Sequence, residues 1–187
     1  MKQPDVRQHI IETASHLFYQ NGYNLTGINE IIREANIAKA TLYHHFKSKD
    51  DICLAYLRHK HSAFMSAFQI HISKAAPGKT RLLAIFSFLK NFFKHDDFNG
   101  CWCINTLSEI PKDKAHIRNE IKEQKQALLT VIQELVEKNH SLATKKENIL
   151  LARQIYLLYE GAVVESHLHE DKWPIQSAQL LCDKILF

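Results

Sequence analysis

Apolar side chains recur every three or four positions through most of the 187-residue chain, which is the spacing of amphipathic helices. The first such stretch ends at Asn21-Gly22, two residue types that tolerate the left-handed backbone found where helices stop. A second, short stretch follows Thr26, which we expect to cap it, and ends before Asn36. A third runs from Lys39 to Phe46. The pattern therefore predicts two short helices that meet at a tight turn.

Helical spacing continues through the rest of the chain. We expect further helices at 49–75, around Leu82 to Phe92, at 101–110, 114–139, 147–169 and 175–186, with Trp173-Pro174 separating the last two. No stretch alternates in a way that indicates a strand. The predicted fold class is all-α with about nine helices: a three-helix head at residues 1–47 and a larger helical domain at 48–187.

Composition supports a helical, folded protein. Apolar residues make up 45% of the chain and charged residues 24%, while glycine and proline together number only nine. We find no window of about 18 apolar residues that would span a membrane, and no secretory signal, so we expect a cytoplasmic protein. The four cysteines lack the spacing of a disulfide framework. We also expect no cofactor.

Positive charge is concentrated in the third helix. The formal net charge is only +4, yet the stretch from Ala38 to Lys49 carries three lysines, two histidines and no acid. Phosphate neutralisation and base reading require basic, hydroxyl and aromatic side chains on one exposed helix. The candidates are Lys39, Thr41, Tyr43, His44, Lys47 and Lys49. This pattern favours a helix that enters the DNA major groove, and the alternative is an ordinary solvated basic helix.

The stretch from Thr26 to Asp50, with its Ala-Asn-Ile turn and its Thr-Leu-Tyr-His-His-Phe-Lys-Ser-Lys end, resembles the tetracycline-repressor (TetR) family of bacterial transcription regulators. The resemblance is specific over residues 7–56. It implies that Thr26 holds a phosphate, that Lys39, Ala40, Thr41, Tyr43 and His44 face DNA, and that Lys49 touches the DNA backbone. Two positions depart from the pattern: Ala38 lacks the usual serine hydroxyl, and Gly27 replaces a polar residue.

By the same resemblance, the larger domain would dimerise and bind an effector. The expected dimer uses the helices at about 147–169 and 174–187, with the Ile149, Tyr156, Tyr159 and Val163 stripe and Gly161 as candidates, although these side chains would also suit the protomer core. The expected function is a repressor that leaves a near-palindromic operator when a small molecule or an electrophile binds. The candidate pocket residues are Phe64, Phe68, His71, Phe86, Phe93, Trp102, Asn105, Glu109 and Tyr156.

Two other kinds of chemistry stay open at the level of sequence. Cys101 and Cys103 flank Trp102 near a predicted helix start, where a lowered thiol pKa would suit a redox or electrophile sensor. Metal binding would need further ligands that no spacing brings together, so we expect no metal site. No enzyme motif is present apart from these thiols. The alternative to a DNA-binding regulator is therefore a helical thiol or metal sensor, or a small cysteine enzyme.

Overall fold

The computed structural model describes residues 5–95, 98–140 and 144–186. Within these ranges the chain forms nine α-helices and no strand, as the hydrophobic spacing predicts. The helices are α1 (Val6–Asn21), α2 (Ile28–Glu34), α3 (Lys39–His45), α4 (Lys49–Ser73), α5 (Lys79–Phe92), α6 (Trp102–Glu109), α7 (Ala115–Asn139), α8 (Lys145–His169) and α9 (Trp173–Ile185).

The described residues fall into two compact units. The first comprises residues up to Ala63 together with Trp102–Glu123, and the second comprises Phe64–Cys101 and residues from Gln124 onward. Helices α4 and α7 contribute residues to both units. The domain boundary that we expect after residue 47, between a DNA-binding head and a larger helical domain, stays a prediction.

The core of the first unit forms around α1. Ile10, Ala14 and Phe18 lie on one face of this helix and are buried, as their spacing predicts. The Phe18 ring lies 5.6 Å from that of Tyr56 in α4, measured between centroids. Helix α1 packs against α2, and α2 packs against α3. These contacts hold the two shortest helices, which would not be stable alone.

The second unit is built around α5, α8 and α9, which pack against one another. Helix α5 buries Leu82, Ile85, Phe86 and Leu89. Thr144 caps α8 with a reciprocal pair of hydrogen bonds: the Thr144 hydroxyl accepts from the Glu147 amide at 3.3 Å, and the Glu147 carboxylate accepts from the Thr144 amide at 2.8 Å. Helix α8 therefore begins two residues earlier than the sequence predicts.

Two local predictions were wrong. Gly27, and not Thr26, occupies the cap position of α2, where its amide donates to Glu30 Oε2 at 3.2 Å. Trp173-Pro174 does not separate the last two helices, because both residues lie in the first turn of α9. Proline is tolerated there, since the first amides of a helix have no partner within the helix.

Candidate nucleic-acid interface

Helix α3 is held in place by two buried side chains. Leu42 is fully buried and Phe46 is 3% exposed, so both side chains belong to the core. The turn before α3 places Asn36 in the left-handed region, with φ of 51°, and the Ile37 amide donates to the Ile32 carbonyl at 3.2 Å. This is the backbone pattern of a helix that stops sharply. The turn thus fixes the direction in which α3 leaves α2.

The opposite side of α3 is open to solvent. The exposed positions are Lys39, Ala40, Tyr43, His44 and Lys47, whereas Thr41 is half-buried. The exposed side chains include two ammonium groups, a phenol and an imidazole, which can contact phosphate and base edges, while Ala40 allows close approach. Apart from Thr41, the predicted polar side chains of this segment therefore face solvent, while Leu42 and Phe46 are buried.

Ala38 begins α3 without a side-chain cap. Its backbone is extended, with φ of −72° and ψ of 148°, and its methyl side chain provides no hydrogen bond to the first amides of the helix. The next helix, α4, is capped, because the Ser48 hydroxyl accepts from the Asp51 amide at 3.1 Å. The missing hydroxyl at position 38 thus leaves α3 less well terminated than its neighbour.

Thr26 differs from the other predicted contact residues. Its side chain is fully buried, and its hydroxyl lies 2.8 Å from the Gly22 carbonyl and 3.2 Å from the Leu17 carbonyl, both of which are acceptors. The hydroxyl therefore ties the loop before α2 to α1. A phosphate contact by Thr26 remains a prediction that this geometry does not favour.

Lys49 lies at the start of α4 and reaches back to the loop between α1 and α2. Its Nζ is 4.3 Å from the centroid of the Tyr23 ring and donates to the Asn24 carbonyl at 3.4 Å. Burial lowers the pKa of Lys49, and the neighbouring Cys53, Glu109 and Asp50 oppose that shift. The ammonium group is thus held beside the loop that leads into α2.

The candidate effector residues do not belong to one compact unit. Phe64, Phe68, His71, Phe86, Phe93 and Tyr156 are in the second unit, whereas Trp102, Asn105 and Glu109 are in the first. Within the second unit, the rings of Phe64, Phe68 and His71 lie 5.3 to 5.6 Å from the ring of Phe88. Phe88 is the centre of this aromatic cluster. Phe88 is absent from the set of residues that the sequence suggested, although it lies on the same helix as Phe86.

The other candidate positions have different surroundings. Phe86 is fully buried, and the Phe93 ring lies 5.2 Å from that of Phe98. The Glu109 carboxylate accepts from the Asn24 amide at 2.6 Å, so it bonds to the loop before α2. A cleft of about 230 Å³ in the second unit is lined by Phe68, Ile72, Arg81, Val131, Leu135 and four further residues of α4 and α7. Only Phe68 belongs to both the cleft and the predicted set.

The four cysteines are thiols and all are buried. Cys101 directly precedes α6, and the Lys125 ammonium donates to its Sγ at 3.1 Å. The same ammonium bonds both carboxylate oxygens of Glu160, at 2.7 and 2.6 Å. Cys103 is 2% exposed. The Cys101 thiol therefore lies beside the Lys125 ammonium, a neighbour that the sequence did not predict.

Metal and membrane chemistry receive no support from the described part of the chain. Within it, no three histidine, cysteine or acidic side chains come together as a metal site would require. No helix in the same residues is both long and apolar enough to cross a membrane.

Taken together, the left-handed turn, the buried side of α3 and its exposed basic side form a helix-turn-helix of the kind that reads duplex DNA. This geometry defines the class of protein: a DNA-binding regulator.

Family models agree with this class and make it more specific. Residues 10–56 match the model of bacterial regulatory proteins of the tetR family, and residues 78–180 match the model of the tetracycline-repressor-like C-terminal domain. The second match alone covers more than half of the chain. The chain therefore belongs to the TetR family of transcriptional regulators, and it is not an enzyme. Regulators of this family bind DNA operators and act as dimers with small-molecule effectors.

Individual relatives are similar along most of the chain. The transcriptional repressor NemR of Escherichia coli strain K12 is 24% identical over 179 residues, which is 93% of this chain and 90% of NemR. The fatty acid metabolism regulator protein of Bacillus subtilis strain 168 is 27% identical over 157 residues, covering 82% of this chain and 78% of the relative.

Solved structures share the fold. A TetR-family transcriptional regulator from Streptomyces coelicolor superposes with a TM-score of 0.87 at 23% identity, covering 98% of this chain and 95% of its own. The reduced form of E. coli NemR gives a TM-score of 0.82 at 23% identity and covers 98% of both chains.

Proposed function

We propose that this protein is a repressor that binds a near-palindromic operator as a homodimer and leaves it when an effector binds the larger domain. The observation that carries the DNA-binding part is the two-sided character of α3, with Leu42 and Phe46 buried and the lysines exposed. A DNA-binding regulator works where the chromosome is, so we also propose a cytoplasmic location.

The proposed DNA contacts are Lys39, Ala40, Thr41, Tyr43, His44, Lys47 and Lys49. The buried hydroxyl of Thr26 argues against the phosphate contact that the family resemblance implies for it. Lys39 begins α3 and Lys47 follows its end, so both ammonium groups are suited to contact phosphates of the DNA backbone. Tyr43 is 43% exposed and lies between them in sequence. It is the large side chain of α3 best suited to contact with base edges or sugars.

An apolar face on α8 supports the dimer. Its exposed positions include Leu150, Leu157, Gly161, Val164 and Leu168, spaced by seven, four, three and four residues. On α9, Trp173, Leu180 and Leu181 are also exposed. Such faces on two adjacent helices are typical of a subunit interface. We propose that the dimer forms through these helices, at about 147–169 and 174–187.

The interface residues differ from the stripe that the sequence suggested. Tyr159 and Val163 are 4% and 6% exposed, so they belong to the protomer core. Gly161 does lie on the exposed face, and a Cβ atom there would meet no atom within 4 Å. The absence of a side chain at this position allows close approach of the partner helix.

The aromatic cluster around Phe88 supports an effector that is itself aromatic or apolar. Phe64, Phe68 and His71 surround Phe88, and His71 Nε2 lies 2.8 Å from the Ser87 hydroxyl, which gives the cluster a polar edge. We propose Phe64, Phe68, His71, Phe86, Phe93 and Tyr156 as effector-site candidates in the second unit. Trp102, Asn105 and Glu109 belong to the first unit and are not part of this proposed site. The curated relatives include repressors and a regulator of fatty acid metabolism.

DNA binding is tested with genomic duplexes selected by the parent protein. The logarithm of the binding constant should fall linearly with the logarithm of salt concentration, and Lys47→Ala should reduce the slope by about 0.9 for one lost phosphate contact. Lys146→Ala, an exposed lysine at the start of α8, is the matched control and should leave the slope unchanged. Failure of the parent to select any duplex would contradict the proposal.

Effector binding is tested by thermal shift with a panel of small apolar and aromatic compounds. A ligand at 100 times its dissociation constant should stabilise the protein by about 2.7 kcal/mol. Phe64→Ala should weaken that shift, because the Phe64 ring borders the cluster. The same compound must also lower operator affinity, since otherwise it is not the effector.

A second candidate trigger is covalent modification of Cys101. The Lys125 ammonium donates to the Cys101 Sγ at 3.1 Å, and the NemR relative is described in a reduced form. In this reaction the Cys101 thiolate adds to an electron-poor carbon–carbon double bond. The S–C bond forms as the π bond breaks, and the thiol proton ends on the neighbouring carbon. Cys103 is the adjacent alternative.

N-ethylmaleimide tests this trigger. Treatment should release the operator from the parent protein and leave Cys101→Ser bound, whereas Cys182→Ser, which removes a thiol from α9, should respond like the parent. Release from Cys101→Ser that equals release from the parent would remove this position from consideration.

A further inference from the structure

We infer that Asp50 and Glu109 form a two-carboxylate clamp through which the segment joining α6 to α7 positions the loop in front of α2. The inference rests on the proposed DNA-binding function and assigns positioning residues to it. None of the clamp residues lies on the exposed side of α3. All of them belong to the first compact unit.

The Glu109 half of the clamp holds the loop by its backbone. Glu109 is the last residue of α6, and its Oε2 accepts from the Asn24 amide at 2.6 Å. The Asn24 side-chain amide donates in return to the Glu109 carbonyl at 3.1 Å. The loop and the end of α6 are therefore joined by two hydrogen bonds, one of them to a charged oxygen.

Gly22 makes this contact possible. It ends α1 with φ of 86°, and a Cβ atom there would collide with the Glu109 carboxylate. The Gly22 carbonyl in turn lies 2.8 Å from the Thr26 hydroxyl, which is one residue before the cap of α2. The Glu109 contact is thus connected to the start of α2 through a short chain of hydrogen bonds.

The Asp50 half of the clamp joins three elements. Asp50 Oδ1 accepts from the Tyr23 hydroxyl at 2.6 Å, and Oδ2 accepts from the Lys114 ammonium at 2.6 Å. His116 Nε2 lies 3.2 Å from the same Oδ2. Tyr23 is in the loop before α2, Asp50 is in the first turn of α4, and Lys114 directly precedes α7. One carboxylate therefore bridges the loop, α4 and the start of α7.

The electrostatics show that the bridge is charged. Burial alone would raise the pKa of Asp50, but the hydrogen bonds from Lys114 and Tyr23 and the charges of Lys114 and His116 hold it below its ordinary value. The hydrogen bond to Asp50 raises the pKa of Lys114. Burial and the bond to Asp50 raise the pKa of Tyr23 well above its ordinary value. The aspartate is an anion, the lysine is a cation, and the tyrosine keeps its proton.

The clamp gives α7 a direct connection to the DNA-reading helices. Helix α7 runs from Ala115 to Asn139, and its residues from Gln124 onward belong to the second unit. A change in the position of its first turn would move Lys114 and break the bond to Asp50. By thermodynamic reciprocity, operator binding should then stabilise the start of α7.

The experiment compares Tyr23→Phe, Lys114→Met and the double variant with the parent protein. Each single variant should weaken operator affinity roughly fivefold or more. The salt slope should stay at the parent value, because no phosphate contact is lost. The double variant should lose less than the sum of the two, because both groups act on Asp50. Lys112→Met is the matched control, because it removes an exposed lysine from the same α6–α7 segment as Lys114, and it should bind the operator like the parent.

Amide hydrogen exchange supplies a readout that a purely structural role would not change. Operator DNA should slow exchange at 22–27 and at 115–121 in the parent, and the effect at 115–121 should disappear in Lys114→Met. Tyr23→Phe keeps the ring and removes only the hydroxyl, so it decides the question if Lys114→Met does not fold.

Three results would overturn the clamp: parent-like affinity in Tyr23→Phe, a reduced salt slope in the clamp variants, or an equal loss in Lys112→Met. If the parent protein selects no duplex, the proposed DNA-binding function fails together with the clamp. If the parent binds and the variants match it, only the clamp fails.

Discussion

The exposed sides of α3 and α8 differ in chemistry. Helix α3 exposes Lys39, Tyr43 and His44, whereas α8 exposes Leu157, Leu168 and other aliphatic side chains. Both helices bury a conventional apolar stripe on the opposite side. The difference indicates two kinds of partner: a polyanion for the first surface and an apolar surface, such as a second copy of the same helix, for the second.

The two helices also start differently. Thr144 and Glu147 cap α8 reciprocally, whereas Ala38 gives α3 no side-chain cap. Helix α8 has 25 residues and α3 has 7. The longer helix is therefore stabilised at its own end, while the shorter one depends on Leu42 and Phe46 for its position. Stability in the head comes mainly from packing.

The largest expected effect is loss of the dimer. Leu157→Glu places a charge in the centre of the exposed α8 face, and burial of an unpaired charge costs about 3–5 kcal/mol. We expect a monomer at micromolar concentration by sedimentation, and operator affinity reduced at least 100-fold. Ile70→Glu, at an exposed apolar position of α4, is the matched control and should stay dimeric. A dimeric Leu157→Glu protein would place the interface elsewhere.

The second effect concerns the polar surface. Tyr43→Ala should weaken operator binding by about 1–3 kcal/mol, because it removes a large exposed side chain from the recognition helix. The thermal unfolding midpoint should change little, since Tyr43 is 43% exposed. Operator titration and differential scanning calorimetry measure the two quantities. Parent-like binding would mean that Tyr43 does not contact DNA.

The third effect is a pH dependence of stability that involves Asp50. Its folded pKa is lowered, so its ionised form stabilises the protein fully above the ordinary aspartate pKa of about 3.9, and this contribution is lost as the pH falls through the lowered value. Urea unfolding of the parent and of Asp50→Asn should therefore differ most near neutral pH and converge in acid. A difference that is constant with pH would argue against the charged bridge.

The smallest effects concern the two helix starts and have opposite signs. Thr144→Ala should destabilise the protein by about 1 kcal/mol, because it removes the cap of α8. Ala38→Ser should stabilise it by a similar amount or less and should tighten operator binding. Urea unfolding measures both. Equal and unchanged stabilities would show that neither cap contributes.

The helices were predictable because their apolar residues repeat at the right spacing and their ends carry residues with definite backbone preferences. Asn36 was expected to end α2, and it adopts the left-handed conformation. Ser48 directly precedes α4, and its hydroxyl accepts from the Asp51 amide in the first turn of that helix. These features depend on neighbours within one or two turns, which is the range over which sequence alone is informative.

The contacts between distant segments were not predictable. Spacing along α8 placed Tyr159 and Val163 on a candidate dimer stripe, but only packing against other helices of the second unit decides which face of α8 is covered. The bond between Lys125 and Glu160 and the bond between Lys114 and Asp50 join residues far apart in the chain. The DNA contacts of Lys39, Tyr43 and His44 stay a prediction that the family resemblance carries; the structure shows only that these side chains are exposed.

The absence of a single Cβ atom at Gly22 restricts which substitutions the DNA-binding head can tolerate. A side chain at this position would displace the Glu109 carboxylate from the Asn24 amide and would strain a backbone with φ of 86°, even with every base-reading side chain intact. Mutations that silence the regulator should therefore also occur at this inconspicuous glycine, outside the surface that touches the genome.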